Sequence, residues 1–471
     1  MNKEEFRQFG YELIDWITDY YEDIEKYPVK SRAKPGEIIK ELPSLPPGES
    51  EPFEKIMTDF EKVLLPGITH WQSPNFFAYF PANSSMPSVL GELLTSALAV
   101  QGMVWETSPA ATELEEVVMN WLKKMTGIPE NFHGVIQDTA STSTLVALLS
   151  AREKISGFQI NEDGFHNNKY RIYCSREAHS SIEKAVKIAG FGKNSLVYIP
   201  VNEQLGMNVD ELENAIQKDL ARGHVPVCVV SAIGTTGTVA FDPLKPIAEI
   251  CNKYNIWHHV DAAYAGSAMV LEENRKYIEG IEEVDSYVFN PHKWMFTNFD
   301  CSAYFVKDKA ALIRTFEIMP EYLKTGSDQV VNNYRDWGIQ LGRRFRALKL
   351  WIVIRSMGVE TIKEKIRNHI QWANELAEKV RNNDRFELWE PQNMGLVCFR
   401  LKLSEVNKQA ERNKINQAFL NEINASGKAY LSHTKINGEF TLRFVVAQTR
   451  VTDDHVFKAW ELIEKISDKY L

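Results

Sequence analysis

Cysteine is sparse and never doubled: the chain carries five (Cys174, Cys228, Cys251, Cys301 and Cys398) and no C-x-x-C pair. Most sit inside apolar runs such as VPVCVVSAIG and GLVCFRL. They read as reduced core thiols and point to a reducing compartment, the cytoplasm. Positive charge is in deficit, with a formal net charge of −9. No polyanion-binding surface is expected, and nucleic acid is not an expected partner. Long apolar runs are missing as well. The opening stretch, MNKEEFRQFGYELIDWITDYYEDI, holds no uninterrupted apolar segment of the signal-peptide kind, and no run approaches a membrane span. Internal repeats and low-complexity tracts are also missing.

What is present is ordinary globular material, 44% apolar and 25% charged over 471 residues, enough for two or three packed units. Phe6, Phe9, Leu13, Trp16, Ile17 and Tyr20 recur at helical spacing, an apolar stripe on an N-terminal helix. The Pro- and charge-rich stretch from Pro28 to Pro52 reads as an extended connector. A helix on such an arm is expected to pack on another subunit, with docking on its own core as the alternative. From about residue 85 to 310, short apolar runs alternate with amphipathic helices: GVIQD, RIYCS, SLVYIP, VPVCVVSAIG, IWHHVDAAYAG, SYVFN and CSAYFVK. Between them, Ser108 and Pro109 open a helix whose face comprises Leu114, Val117, Val118, Trp121, Leu122 and Met125, and Gly127 closes it. Continuous apolar strands separated by helices imply an α/β fold with a mainly parallel, doubly covered sheet, whose sites lie beyond the carboxyl ends of the strands. After residue 345 come two helices broken near Gly358, the runs GLVCFRLK and FTLRFVVA, and a closing helix from about Thr452: a small α+β domain. The expected division is a helical arm and dimerisation segment (1–84), a large α/β domain (85–360) and a small C-terminal domain (361–471).

Four strand ends carry reactive groups. IWHHVDAAYAG delivers Asp261 where a carboxylate is expensive to desolvate. SYVFNPHKW delivers Lys293, VIQDTASTSTL crosses into a helix through small hydroxyl residues, and CSREAHSSIEKA places His179 before another helix. An acid, an amine, an anion cradle and an imidazole together suit pyridoxal phosphate, which needs a lysine anchor, a carboxylate at its pyridine nitrogen, a phosphate site and a flat group on its ring. Thr139, Ala140 and Ser141 at a helix start can bind phosphate through N–H groups and the helix dipole. His292, as a neighbouring cation, is expected to help lower the lysine pKa. Singly, each feature has a plainer reading: strand-end Asp and Ser/Thr residues cap helices, and a lone His packs or caps. His258 and His259 point to opposite faces of a strand and cannot converge on a metal, so no metal site is expected.

NPHKW, HVDAAYAG, FFAYFP, TSPAATELE and LGRRFR resemble, in order and over nearly the whole chain, the group II pyridoxal-phosphate decarboxylases, particularly the aromatic-L-amino-acid decarboxylases. The resemblance implies the type I, aspartate-aminotransferase-like fold and a homodimer with shared active sites, the N-terminal arm wrapping the partner. It implies Lys293 as cofactor anchor, Asp261 at the pyridine nitrogen, His179 stacked on the ring and Ala263 packed under it. Thr139, Ala140, Ser141 and Asn290 fall at the phosphate, Thr236 close to the cofactor and His292 near the substrate carboxylate. Trp71, Tyr79, Phe80, Pro81, Gln101, Met103 and Gly342 fall at the substrate side chain. Asp138 departs from the glycine frequent in relatives, and Gln101 and Met103 from more apolar or aromatic residues.

The loop MPEYLKTGSDQVVNNYRDW matches the family's mobile loop, whose tyrosine, here Tyr322, is the implied proton donor. A phenylalanine there accompanies aldehyde synthases, so Tyr322 favours simple decarboxylation to an amine. Gly342 matches a position where relatives with glycine accept bulky indoles, room that a residue without a side chain leaves open. The expected substrate is therefore an aromatic L-amino acid, tryptophan or 5-hydroxytryptophan ahead of tyrosine, dopa and phenylalanine. An aldehyde synthase is the alternative. An aminotransferase, with Arg443 as its carboxylate arginine, is a further one.

Overall fold

All seven apolar runs of the middle region form strands in the computed structural model, which describes every residue except 167–168, 319–330, 392–393 and 471. In chain order the strands are β1 (Phe76–Phe77), β2 (His133–Gln137), β3 (Tyr170–Ser175), β4 (Leu196–Ile199), β5 (Val225–Ala232) and β6 (Trp257–Asp261). They continue with β7 (Ser286–Phe289), β8 (Ser302–Val306), β9 (Phe386–Leu388), β10 (Leu396–Leu401), β11 (Tyr430–Ile436) and β12 (Glu439–Val445).

One unit comprises residues 82–371 and 390–394. Its sheet has the order β2-β8-β7-β6-β5-β3-β4. Strands β7, β6, β5, β3 and β4 run parallel, while β8 is antiparallel to both β7 and β2. It follows that β2, β3, β5, β6 and β7 all end at the same edge, where β8 begins. β8 and β7 are buried along their whole length, as the unbroken apolar runs require of a sheet covered on both faces. The Ala140–Ile155 helix packs across β5, β6, β7 and β8.

The Pro109–Thr126 helix starts where its signals place it: Ser108 Oγ accepts the Ala111 N–H at 3.3 Å, and Gly127 closes it with φ 78°. Its inward face is rotated from the expected one. Val117 is 41% exposed, whereas Ala111, Glu115, Val118, Met119 and Leu122 are buried. A polar residue turns the face: Glu115 is drawn inward because Arg343 Nη2 donates to its Oε1 at 2.7 Å.

The second unit gathers residues 1–81, 372–389 and 395–471. Its sheet, ordered β1-β11-β12-β10-β9, is antiparallel except where β1 joins β11. Phe77 stacks on Phe444 with centroids 4.1 Å apart, within a core that includes Phe399, Phe419 and Trp460. The Lys3–Glu22 helix lays part of its stripe on its own chain: Phe9 meets Phe53 at 4.8 Å, Trp16 meets Phe60 at 5.4 Å, and Tyr20 bonds His70 at 2.8 Å. Phe6 remains 68% exposed. The connector is not extended throughout, since Glu37–Glu41 forms a short helix. Gly358, with φ 74°, separates the Arg346–Met357 and Val359–Arg381 helices as expected.

Candidate active site

Five strand ends converge on the carboxyl edge of the large sheet. Thr139 follows β2, His179 follows β3, Thr236 follows β5, Asp261 closes β6, and Asn290 to Lys293 follow β7. Because β6 and β7 are hydrogen-bonded neighbours, with Asp261 opposite Val288, the acid and the lysine leave the sheet about 4.8 Å apart laterally. Two further backbone bonds pin their exits. Ala262 N–H donates to Val288 O at 2.9 Å, and Asn290 N–H to Ala263 O at 3.0 Å. Lys293 lies on the single turn Pro291–Trp294, its N–H on Asn290 O at 2.9 Å. Asp261 Oδ1 accepts the Ala263 N–H at 3.0 Å.

The Ala140–Ile155 helix begins at this edge with Thr139 as its cap. Its first-turn Ala140 and Ser141 N–H groups meet no acceptor among the described residues. Asp138 takes one donor for itself: Oδ1 accepts the Thr139 N–H at 2.6 Å, while Oδ2 accepts Gln340 Nε2 at 3.2 Å. Asn290 presents its amide as a donor, because its Oδ1 is occupied by Ser302 Oγ at 2.7 Å. Ser302 also lies 3.5 Å from Ser143 Oγ, tying Asn290 to the helix.

Both histidines are tautomerically fixed. Cys301 N–H donates to His292 Nδ1 at 2.9 Å, so the neutral ring carries its proton on Nε2. Burial, reinforced by the adjacent Lys293, pushes His292 down to about 3. It is a neutral hydrogen-bond donor. The expectation that it lowers the lysine pKa as a cation is overturned, since burial forbids the charge. His179 receives the Ser181 N–H on Nδ1 at 3.2 Å, with Ser181 Oγ at 2.7 Å. Its pKa is lowered by burial, raised in part by Asp261 and lowered by Lys293, so its imidazole senses both groups. Thr236 is exposed and Ala263 half-buried at the same edge.

The remaining expected residues are held by other segments of the chain. Gln101 and Met103 meet the segment 335–343, which contains Gly342: Gln101 Oε1 accepts the Arg343 N–H at 2.5 Å, and Met103 O the Arg335 N–H at 2.9 Å. A Cβ on Gly342 would stand 3.0 Å from Gln101 Nε2, so a side chain there would press on the end of the glutamine amide. Trp71, Tyr79, Phe80 and Pro81 belong to the other unit. There Trp71 stacks on Tyr79 at 5.7 Å, Tyr79 N–H donates to Ser432 Oγ at 3.1 Å, and Arg443 lies over Phe80 at 5.3 Å. Arg443 is buried and donates to Ser432 Oγ at 2.6 Å. Tyr322 lies outside the described residues.

Ser143, Ser181 and Ser302, whose hydroxyls hold Asn290 and His179, are not among the residues expected from the sequence. Ser181 alone had a signal, its spacing of two from His179; the others act across elements.

The donor set fits pyridoxal phosphate: free helix N–H groups and the Asn290 amide for the phosphate, a carboxylate beside a lysine, and a flat ring sensing both. The pyridoxal-dependent decarboxylase conserved domain matches residues 35–402. Phenylacetaldehyde synthase of Petunia hybrida is 41% identical, over 98% of this chain and 94% of its own length. Tyrosine decarboxylase of Papaver somniferum is 39% identical over 100% and 96%. A solved structure of Oryza sativa TDC with PLP and tryptamine superposes with a TM-score of 0.96 at 37% identity, covering 100% of this chain and 99% of that one.

Proposed function

The chain belongs to the pyridoxal-dependent decarboxylase family, and from that premise we propose that it decarboxylates an aromatic L-amino acid to its amine, tryptophan or 5-hydroxytryptophan ahead of tyrosine, dopa and phenylalanine. The observation that carries this reading is the single sheet edge shared by Asp261, Lys293 and the start of the Ala140–Ile155 helix. Pyridoxal phosphate supplies an electron sink for the pair released when a bond at the substrate α-carbon breaks.

The protein's own residues then have separable tasks. Lys293 anchors the cofactor covalently. Asp261 faces the pyridine nitrogen and keeps it protonated through a charge-assisted bond. Ala140, Ser141, Thr139 and Asn290 hold the phosphate. His179 offers a flat face, and Ala263 and Thr236 close the surroundings. His292, neutral with its proton on Nε2, donates a hydrogen bond without adding a positive charge. That suits a carboxylate destined to leave, because a full cation would stabilise the charged ground state as much as the transition state. Trp71, Tyr79, Phe80, Pro81, Gln101, Met103 and Gly342 are assigned to the substrate side chain.

Tyr322 is assigned the return of a proton to the substrate carbon, a role that separates an amine product from an aldehyde. A positioned acid of this kind contributes about 10²–10⁴-fold. Purified protein is expected to release carbon dioxide and amine from at least one of those five amino acids, and Tyr322→Phe to divert product to aldehyde. Absence of carbon dioxide release with all five would sink the activity, and unchanged amine yield in the variant would sink the tyrosine's role.

A homodimer with shared active sites completes the reading. On the Met86–Leu98 helix, Met86, Leu90, Leu93, Leu94 and Leu98 are each at least half exposed, an apolar face that a soluble monomer rarely leaves bare. Residues 1–84 would contribute as the arm. A monomer by sedimentation at micromolar concentration would remove this element. Five buried cysteines, none of them in a disulfide, support a reducing compartment, the cytoplasm.

A further inference from the structure

Beneath the carboxyl edge lies a buried polar triad, Thr144, His259 and Ser286, with no part in the chemistry above. His259 stands two residues before Asp261 on β6, so strand alternation puts both side chains on one face. Its Nε2 lies 3.3 Å from Thr144 Oγ1, in the second turn of the Ala140–Ile155 helix. Its Nδ1 lies 2.9 Å from Ser286 Oγ, at the start of β7. Ser286 Oγ also accepts the Trp257 indole N–H at 2.9 Å. One imidazole thus touches the helix that opens at the phosphate, the strand that ends in Asp261 and the strand that leads to Lys293.

An apolar side chain would fill this volume without desolvating a ring. The histidine is held neutral by burial, at about 3, so it brings no charge to the site. What it adds is direction. Apolar packing sets how closely a helix approaches a sheet but resists sliding weakly, whereas a hydrogen bond fails with small changes of distance and angle. Sliding the helix would strand a buried polar atom, which costs more than the net worth of the bond it breaks. The Ser143–Ser302–Asn290 chain bridges the same helix to β8 and to the turn after β7.

We propose that His259 is a positioning residue: its bonds to Thr144 and Ser286 set the registry of the Ala140–Ile155 helix against β6 and β7. That registry fixes the separation between the phosphate donors and Asp261, and with it the fit of the cofactor. The inference rests on the cofactor reading above.

The rate at which purified holoprotein loses pyridoxal phosphate into cofactor-free buffer, followed by visible absorption, tests it. Thr144→Val, which leaves His259 and the helix volume in place, is expected to accelerate the loss about ten-fold, the scale seen when outer partners of a bound group are removed. His259→Leu should do at least as much, and the double variant no more than His259→Leu alone, because Thr144 acts through the ring. Ser286→Ala provides an independent arm should His259→Leu fail to fold. A purely structural role would lower the thermal midpoints of apo- and holoprotein equally and leave cofactor loss unchanged. That outcome, or multiplicative effects in the double variant, overturns the proposal. A wild-type protein that retains no pyridoxal phosphate overturns the cofactor reading instead.

Discussion

Gly342 illustrates how a residue read for the space it leaves can owe its identity to a neighbour. Its missing Cβ is matched by the Gln101 amide 3.0 Å from where that atom would stand, while the other end of the amide holds the Arg343 N–H. Gly342→Ser therefore displaces the Gln101 amide by a few tenths of an ångström and strains its bond to the Arg343 N–H. The expected cost is about 1 kcal/mol in urea unfolding, the net worth of one hydrogen bond. Gln101→Ala in the same chain should recover most of it, and additive losses would show the two residues to be independent. Such pairings are long-range and leave no trace in spacing. Lys293, Asp261 and His179 were legible because each stands at a strand end whose apolar run is itself legible. The charge state of His292 was not, because it depends on the Cys301 N–H and on depth of burial.

Element by element, the large sheet was readable and the small one half so. β2 to β8 each fall, save the first residues of β2 and β3, within one of the runs picked out in the sequence, whereas β1 is two residues long and β11 carries Ser432, His433, Thr434 and Lys435. β11, held between β12 and the two-residue β1, shows no apolar period of its own. The rotated face of the Pro109–Thr126 helix has a similar origin, in the buried Glu115–Arg343 pair that also engages Ile136 O and N–H. Arg343→Leu leaves that carboxylate buried without its cation, and a loss of about 3–5 kcal/mol is expected by chemical denaturation. Arg343→Leu combined with Glu115→Gln should restore much of it. Equal stability of Arg343→Leu and the parent would mean that water reaches Glu115.

For the whole molecule, acid is the weak side. His258, His259, His292 and His369 are each pushed to about 3, by burial first of all. These folded values lie below the unfolded 6.5, so below that pH the unfolded chain binds protons that the native chain refuses. Stability is full above pH 6.5 and is lost as pH falls from there toward 3. By pH 5 the linkage amounts to roughly 2 kcal/mol for each ring. A thermal midpoint that stays level from pH 7 to pH 5 would contradict the burial of these rings. The thiols give the molecule a different use. All five are buried, and burial pushes Cys174, Cys301 and Cys398 up to about 12, so the native chain should be silent to alkylating reagents. Cys398 belongs to the unit built from the two chain ends, and the other four belong to the large-sheet unit. The order in which the thiols acquire a label then becomes a clock for opening, with one hand in each unit.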